Sequence, residues 1–133
     1  MPVTRADLVP LRNEHDIVLA RQTVRRLAQE LEFSLVDQTK IVTAASELAR
    51  NTLIHGHGGE MQWETLAEGP RSGIRLVFED QGPGIANIAL ALTDGWTSGN
   101  GLGLGLSGSR RLVNEFEIAS EPGRTRVAIT RWK

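Results

Sequence analysis

A carboxylate and an amide one helical turn apart, Glu47 and Asn51, precede two glycine clusters, Asp80-Gln81-Gly82-Pro83-Gly84-Ile85 and Gly101-Leu102-Gly103-Leu104-Gly105-Leu106. Side chains four apart on a helix share a face, so Glu47 and Asn51 present themselves to one neighbour. A carboxylate there can take a proton from an attacking hydroxyl, and an amide oxygen can ligate Mg2+ without adding charge; both serve phosphoryl transfer. The same spacing fits a solvated helix face on which Glu47 pairs with Arg50. Glycine costs conformational entropy wherever its freedom is not used, so two clusters imply backbone shaped around a flat ligand with a charged tail. ATP is such a ligand.

Asp80 closes a predicted strand and can accept from an amino group such as that of adenine, while Gly82 frees the turn, Pro83 fixes φ and Gly84 lets a planar ring approach. Taken alone, the same residues also make a serviceable turn. Gly101, Gly103 and Gly105 stand before a predicted helix, whose first amides can face phosphate oxygens. A helix terminus contributes about 0.3–1 kcal/mol to such an anion, against roughly 8 kcal/mol for micromolar affinity. Several amides, a metal ion and a buried base must therefore act together.

Other chemistries fit less well. A Walker loop needs Gly-Lys-Ser/Thr, and the lysines are Lys40 and Lys133. The Gly-x-Gly-x-x-Gly spacing from Gly103 to Gly108 follows a polar stretch rather than a strand, with too little chain left for a dinucleotide half. His55-Gly56-His57 has His15 as its one further histidine and no cysteine, which suits a helix-end turn better than a metal site. Trp96 could serve a lid or a partner contact, whereas Trp63 and Trp132 suit packing.

The elements that must position these groups follow from periodicity. Ile17, Ala20, Val24, Leu27, Ala28 and Leu31 recur at three- and four-residue steps, predicting an amphipathic helix over 14–32 with Arg21, Arg25 and Arg26 on a solvated face or facing an acidic partner. Ser34 is a predicted N-cap with Asp37 three residues on, opening a helix to about residue 55 that Gly56, Gly58 and Gly59 stop. Strands are predicted over 61–66 and 73–79, joined by a turn at 68–72, and a closing hairpin over 116–120 and 124–132. Residues 8–12, with Pro10, read as an edge strand at best; 86–92 as a short helix, 93–100 as a polar loop and 105–114 as a helix. This order favours an α+β fold with helices on one face of a mixed, mainly antiparallel sheet.

The chain of 133 residues, with no internal repeat and no linker, is expected to form one domain over 1–133. A formal net charge of -1 offers no basic stripe for nucleic acid. The absence of cysteine removes disulfides and thiolate metal sites and suits a reducing compartment. No segment reads as a signal peptide or a membrane span, so a soluble cytoplasmic protein is the expectation.

In their order, Glu47-x-x-x-Asn51, Asp80-x-Gly82-x-Gly84 and Gly101-x-Gly103-x-Gly105 resemble the N, G1 and G2 boxes of the GHKL, or Bergerat-fold, ATPases. More narrowly, Ser46 to Asn51, Glu79 to Ile85 and Asp94-Gly95-Trp96-Thr97 through Leu106 are similar to the RsbT-type switch-protein serine kinases related to anti-sigma factors. The resemblance runs from about Val9 to Trp132 and implies a two-layer α/β sandwich. It further implies that Asn51 ligates Mg2+, that Glu47 is the catalytic base or orients the acceptor, and that Asp80 binds the adenine amino group. Gly82, Gly84 and Ile85 would shape the base pocket, with Thr125 in it; Thr97, Gly101, Leu102, Gly103, Leu104 and Gly105 would belong to the lid and phosphate loop.

The implied reaction moves the γ-phosphoryl group of ATP to a serine of a STAS-domain antagonist. The implied biology is partner switching, in which release from a stressosome-like scaffold frees the kinase to bind and activate a PP2C-type phosphatase. Two positions depart from the pattern. Where anti-sigma kinases often carry an arginine before the G2 glycines, this chain has Ser98-Gly99-Asn100, and the late Gly-x-Gly-Thr is reduced to Gly123-Arg124-Thr125. The first favours the RsbT-type branch over direct sigma-factor binding. An anti-sigma factor, or a nucleotide-responsive module that sequesters a partner with little phosphotransfer, remains the alternative.

Overall fold

A computed structural model describes residues 2–85, 88–92 and 105–133. Strand β1, Val3–Leu11, leads into helices α1, Glu14–Glu30, and α2, Leu35–Ile54. Strands β2, Gly59–Glu68, and β3, Arg71–Asp80, follow, then the short helices α3, Ile88–Ala91, and α4, Leu106–Arg111, and strands β4, Glu115–Glu121, and β5, Arg124–Trp132. The sheet runs β1-β2-β3-β5-β4, and every pairing is antiparallel. The sequence left room for a mixed sheet; in the described residues no parallel pair occurs.

Alternation along the strands sorts the sheet into two faces. Met61 and Trp63, Ile74, Leu76 and Phe78, and Val127 and Ile129 point to one side, where they join Ile17, Val24, Leu27, Ile41 and Leu48 of α1 and α2 in a single core. The two helices thus cover one face, as the periodicity predicts. The other face carries no helix among the described residues; on it Leu66, Val77 and Ala128 are buried beside paired polar groups, Arg75 with Glu64 at 3.1 Å, Arg124 with Glu79, and Gln62 with Glu60 at 2.9 Å. Trp132 lies across that face over Gly73, where a Cβ would come within 2.6 Å of the ring, and Arg71 stacks on it at 4.1 Å. Its indole N–H donates to Glu115 at 2.9 Å, so this packing tryptophan serves the open face while Trp63 serves the core.

Helix α1 is capped by Asn13, whose side chain accepts from the Asp16 amide, and α2 by Ser34, which accepts from the Asp37 amide at 3.1 Å. The Ser34 cap is the one legible in the sequence. At its other end, α2 closes with the His55 and Gly56 amides donating to the Asn51 carbonyl at 2.9 and 3.1 Å. His57 then takes the left-handed conformation, φ 61, that glycine usually supplies. The His55-Gly56-His57 segment is therefore a helix stop, as expected. Strand β1 is longer than the predicted 8–12, beginning at Val3; Pro10 is tolerated because β1 is an edge strand.

Arg131 of β5 pins the two site-bearing helices together at their far end. It donates to the Asp37 carboxylate in the first turn of α2 at 2.6 Å and to the Leu112 carbonyl that ends α4 at 3.0 Å. The Arg131 guanidinium holds the Asp37 carboxyl below the ordinary 3.8. Stability from this pair is thus present above about pH 3.8 and lost as the pH falls through the lower folded-state value. Asp37→Asn is expected to lower the melting temperature by several degrees at pH 7, with the gap to wild type closing in acid-denaturation curves below pH 3.8.

Candidate functional site

The described site is built where α2, the end of β3, the start of α4 and the β4–β5 turn converge. Glu47 and Asn51 occupy one face of α2, as their spacing requires, with Glu47 exposed and Asn51 half-buried. Glu47 does not pair with Arg50, which reaches instead to Glu14 at 3.9 Å. The Glu47 carboxylate lies against Gly105, the residue that caps α4 at φ 66; a Cβ there would sit 2.6 Å from Glu47 Oε2. Glycine at position 105 thus satisfies both the left-handed turn and the close approach of the carboxylate. Leu106 and Ser109, both buried, seat α4 on the α2 side of the core.

Asp80 ends β3 with 9% of its surface exposed. Its Oδ1 accepts the Gly82 amide at 2.9 Å, which leaves Oδ2 beside Gly56, where a Cβ would come within 2.5 Å. Burial pushes the Asp80 carboxyl above its ordinary 3.8, only partly opposed by the Gly82 amide and by His57. An acceptor this poorly solvated has much to gain from a ligand donor. Asp80, Gly56, His57, Glu79, Arg12 and Arg124 line an open cleft of about 780 Å3 at this end of the sheet.

The β4–β5 turn clasps the Gly82-Pro83-Gly84-Ile85 segment. Gly123 N–H donates to the Gly82 carbonyl at 3.0 Å, and Ile85 N–H donates to Ser120 Oγ at 2.7 Å. Gly84, at φ 84, backs onto the carbonyl of Glu121, whose carbon would lie 2.8 Å from any Cβ. Ser120 Oγ lies 2.7 Å from Thr125 Oγ1, and Thr125 is the β5 partner of Asp80 in the sheet register. Thr125, buried, therefore stands on the same face of the sheet as Asp80.

The structure thus brings Asp80, Gly82, Gly84, Ile85 and Thr125 together, and separately joins Glu47, with Asn51 a turn on, to Gly105. Thr97, Gly101, Leu102, Gly103 and Leu104, like Trp96 and the 93–100 loop, lie outside the described residues. Sequence reasoning missed two participants. Ser120 is one; its partner Ile85 lies 35 residues away, so no local pattern marks it. Gly56 is the other; it read only as a helix stop, yet its bare α-carbon is what lets Asp80 sit behind it.

Among the described residues no group of three or more His, Cys, Asp or Glu side chains gathers to hold a metal. A single amide oxygen at Asn51 is a sufficient protein contribution for Mg2+, which keeps most of its shell as waters and phosphate oxygens. The residues present therefore fit that ion as a companion of a polyphosphate. The described residues do not gather a protein-only metal centre.

A two-layer sandwich with its helices on one side, a buried acid at a strand end and a glycine-started helix beside a helix-borne carboxylate defines a nucleotide-binding ATPase module. The chain belongs to the family of histidine kinase-, DNA gyrase B- and HSP90-like ATPases, whose profile matches residues 36–132. Within that family it belongs with the RsbT-type serine/threonine-protein kinases: it is 42% identical over 125 residues to serine/threonine-protein kinase RsbT of Bacillus subtilis (strain 168), covering 93% of this chain and 94% of that one. It is also 30% identical over 111 residues to anti-sigma F factor of Clostridium kluyveri, covering 79% of this chain and 77% of the relative.

Two solved structures share the fold. One holds the RsbU and RsbW domains of a Mycobacterium tuberculosis protein, with a TM-score of 0.64 and 19% identity over 96% of this chain, which spans 32% of that longer one. The other is the SiaB-SiaC complex of Pseudomonas aeruginosa, with a TM-score of 0.57 and 11% identity, covering 98% of this chain and 91% of that one. No helix among the described residues is long and apolar enough to cross a membrane.

Proposed function

We propose that this chain, as one domain over 1–133, is an ATP-dependent protein-serine kinase that phosphorylates a STAS-domain antagonist in a cytoplasmic partner-switching pathway. Released from a stressosome-like scaffold, it would bind and activate a PP2C-type phosphatase. The observation that carries the reading is the contact of Glu47 with Gly105. It sets a potential base at the start of the helix that follows the glycine-rich run, where a triphosphate's end is expected. The identity to RsbT supports the same class.

In this mechanism Asp80 Oδ2 accepts the adenine amino group, while Gly82, Gly84 and Ile85, held by the β4–β5 turn, form the wall of the base pocket. Thr97 and the run from Gly101 to Gly105 are assigned to the lid and phosphate loop. Asn51 would hold Mg2+, which when bound screens charge on the phosphates. The acceptor serine's O–H proton passes to the Glu47 carboxylate, its Oγ forms the new bond to the γ-phosphorus, and the bond to the β-phosphate oxygen breaks, releasing ADP. Positioning and charge stabilisation carry most of such a transfer.

A phosphotransfer assay with a co-encoded STAS protein tests this. Wild type yields phosphoserine; Glu47→Gln keeps ATP binding and loses product by about 100-fold or more, the scale of a removed general base. The anti-sigma F factor similarity supports a second reading, a module that sequesters a partner with little transfer. Wild type that binds ATP and the partner yet forms no phosphoserine would decide for it, and co-purification with a sigma factor would identify the partner.

A further inference from the structure

We propose that the outer edge of β4 is a docking site for an extended, basic segment of a partner protein, which adds a strand to the sheet and tightens the nucleotide pocket from behind. The edge is defined by the sheet alone, whereas its coupling to the pocket rests on the nucleotide reading above and deepens it.

The sheet ends in β1 on one side and β4 on the other, and the two edges differ. Along β1 the Leu8 N–H donates to the neighbouring Asp7 carboxylate at 2.8 Å, and Pro10, which faces the same way as Leu8, has no N–H to offer. Both are devices that keep an exposed edge from pairing. Strand β4, Glu115–Glu121, contains no proline. Its outward groups follow from β5. Lys133 N–H turns toward β3 and donates to the Ser72 carbonyl at 2.8 Å, whereas Trp132 N–H turns toward β4 and donates to Asn114 Oδ1 at 2.7 Å. The even-numbered residues of β5 therefore bond toward β4, where the register sets them against Glu115, Glu117, Ala119 and Glu121. Phe116 and Ile118 are left with N–H and C=O groups directed away from the sheet, and among the described residues no strand pairs with them there.

The side chains select the occupant. On the helix-facing side Phe116 and Ile118 are half-buried at the margin of the core, so apolar neighbours on an added strand would extend it. On the opposite side Glu115, Glu117 and Glu121 are exposed. Glu115 accepts the Trp132 indole N–H, and Arg124, which faces Glu121 in the register, is engaged by Glu79. Among the described residues neither Glu117 nor Glu121 has an ion-pair partner. The nearby cation Arg126 lies across from Ala119, where β4 itself carries no charge. A second copy of this chain does not fit, because pairing β4 with β4 sets carboxylates against carboxylates. Lysine or arginine alternating with apolar residues complements both faces of the edge.

The same strand runs into the turn that clasps the segment from Gly82 to Ile85. Ser120 Oγ accepts the Ile85 amide, and Gly123 N–H donates to the Gly82 carbonyl. A strand bonded to Phe116 and Ile118 orders β4 just before Ser120, so less ordering remains when a base enters the pocket. Partner and nucleotide then strengthen each other by the same factor.

Amide NMR titration with a short peptide alternating lysine and valine tests the edge. The largest shifts should fall on Phe116 and Ile118, and a peptide with glutamate in place of lysine should bind at least about 10-fold more weakly. Glu117→Lys combined with Glu121→Lys should reverse that preference. Methylating the main-chain nitrogens of the lysine–valine peptide keeps its charge and removes its strand bonding, and should abolish the shifts. Calorimetry should show ADP binding about 5-fold more tightly with the lysine–valine peptide present than without it.

Equal binding of the lysine and glutamate peptides, full binding of the methylated peptide, or shifts confined to other elements would overturn the docking site. A peptide that binds β4 and leaves ADP affinity unchanged would overturn the coupling. A chain that binds the peptide but neither ADP nor ATP would instead overturn the nucleotide reading, and the coupling with it, while upholding the edge as a docking site.

Discussion

Asp80→Asn is expected to fold more stably than wild type at neutral pH and to lose ADP. The carboxyl is buried at the end of β3 and its pKa is raised above the ordinary 3.8, so the folded protein carries an ill-solvated charge at pH 7. Because the folded state holds its proton more tightly, the stability associated with Asp80 is full below pH 3.8 and declines as the pH rises through the higher folded-state value. Asparagine removes that charge and keeps the oxygen that accepts the Gly82 amide. Melting curves should therefore place the variant above wild type at pH 7, with the two converging below about pH 3.8.

Binding goes the other way. With Oδ1 held by Gly82, the position now filled by Oδ2 becomes an NH2 group, and a donor then faces the purine's amino donor. Losing a charged acceptor and gaining an opposed donor costs roughly 2–4 kcal/mol, on the order of 100-fold in affinity. Calorimetry with ADP reads this directly. Wild-type affinity in the Asp80→Asn protein would remove Asp80 from the base pocket.

Gly56→Ala should lose binding as completely, but with reduced stability. A Cβ at this position would stand 2.5 Å from Asp80 Oδ2 and 2.6 Å from Asp80 Cβ, well inside contact distance. Asp80 can turn away only by giving up the Gly82 amide, and Gly82 itself backs onto the Gly56 α-carbon, within 2.7 Å of where its own Cβ would be. Overpacking of this kind costs about 1–3 kcal/mol. Pairing the change with Asp80→Gly removes both the carboxylate and the Cβ that the new methyl would meet, so the double variant should melt above Gly56→Ala alone while still failing to bind ADP. A Gly56→Ala protein with unchanged melting temperature and ADP affinity would show that the glycine is not what seats the carboxylate.

The parts of this arrangement that were legible in the sequence are those coded locally. Ser34 as a cap, the shared face of Glu47 and Asn51 and the turn after Asp80 each depend on residues within one or two turns of one another. The α+β layering and the likeness to RsbT-type kinases followed from element order and from three short boxes, and the fold and the 42% identity agree. Strand β1 was under-read because its Val3-to-Leu8 part is exposed and it contains a proline; pairing with β2, not periodicity, makes it a strand. Ser120 and Gly56 could not be seen because their roles exist only once β4 and the end of α2 are brought to Asp80 and its turn by the fold.

The sheet's bare side has a bearing on how macromolecules reach this molecule. Four of its charges are already matched, Arg75 with Glu64 and Arg124 with Glu79, so a protein approaching there must break existing ion pairs to use them. By contrast, the most exposed large apolar side chains among the described residues, Leu35 and Val36, stand on the helix that also carries Glu47. Recognition through the helical layer would deliver a bound partner to the same side of the molecule as Glu47, and so couple grip, through a single rigid rod, to the chemistry proposed for that carboxylate.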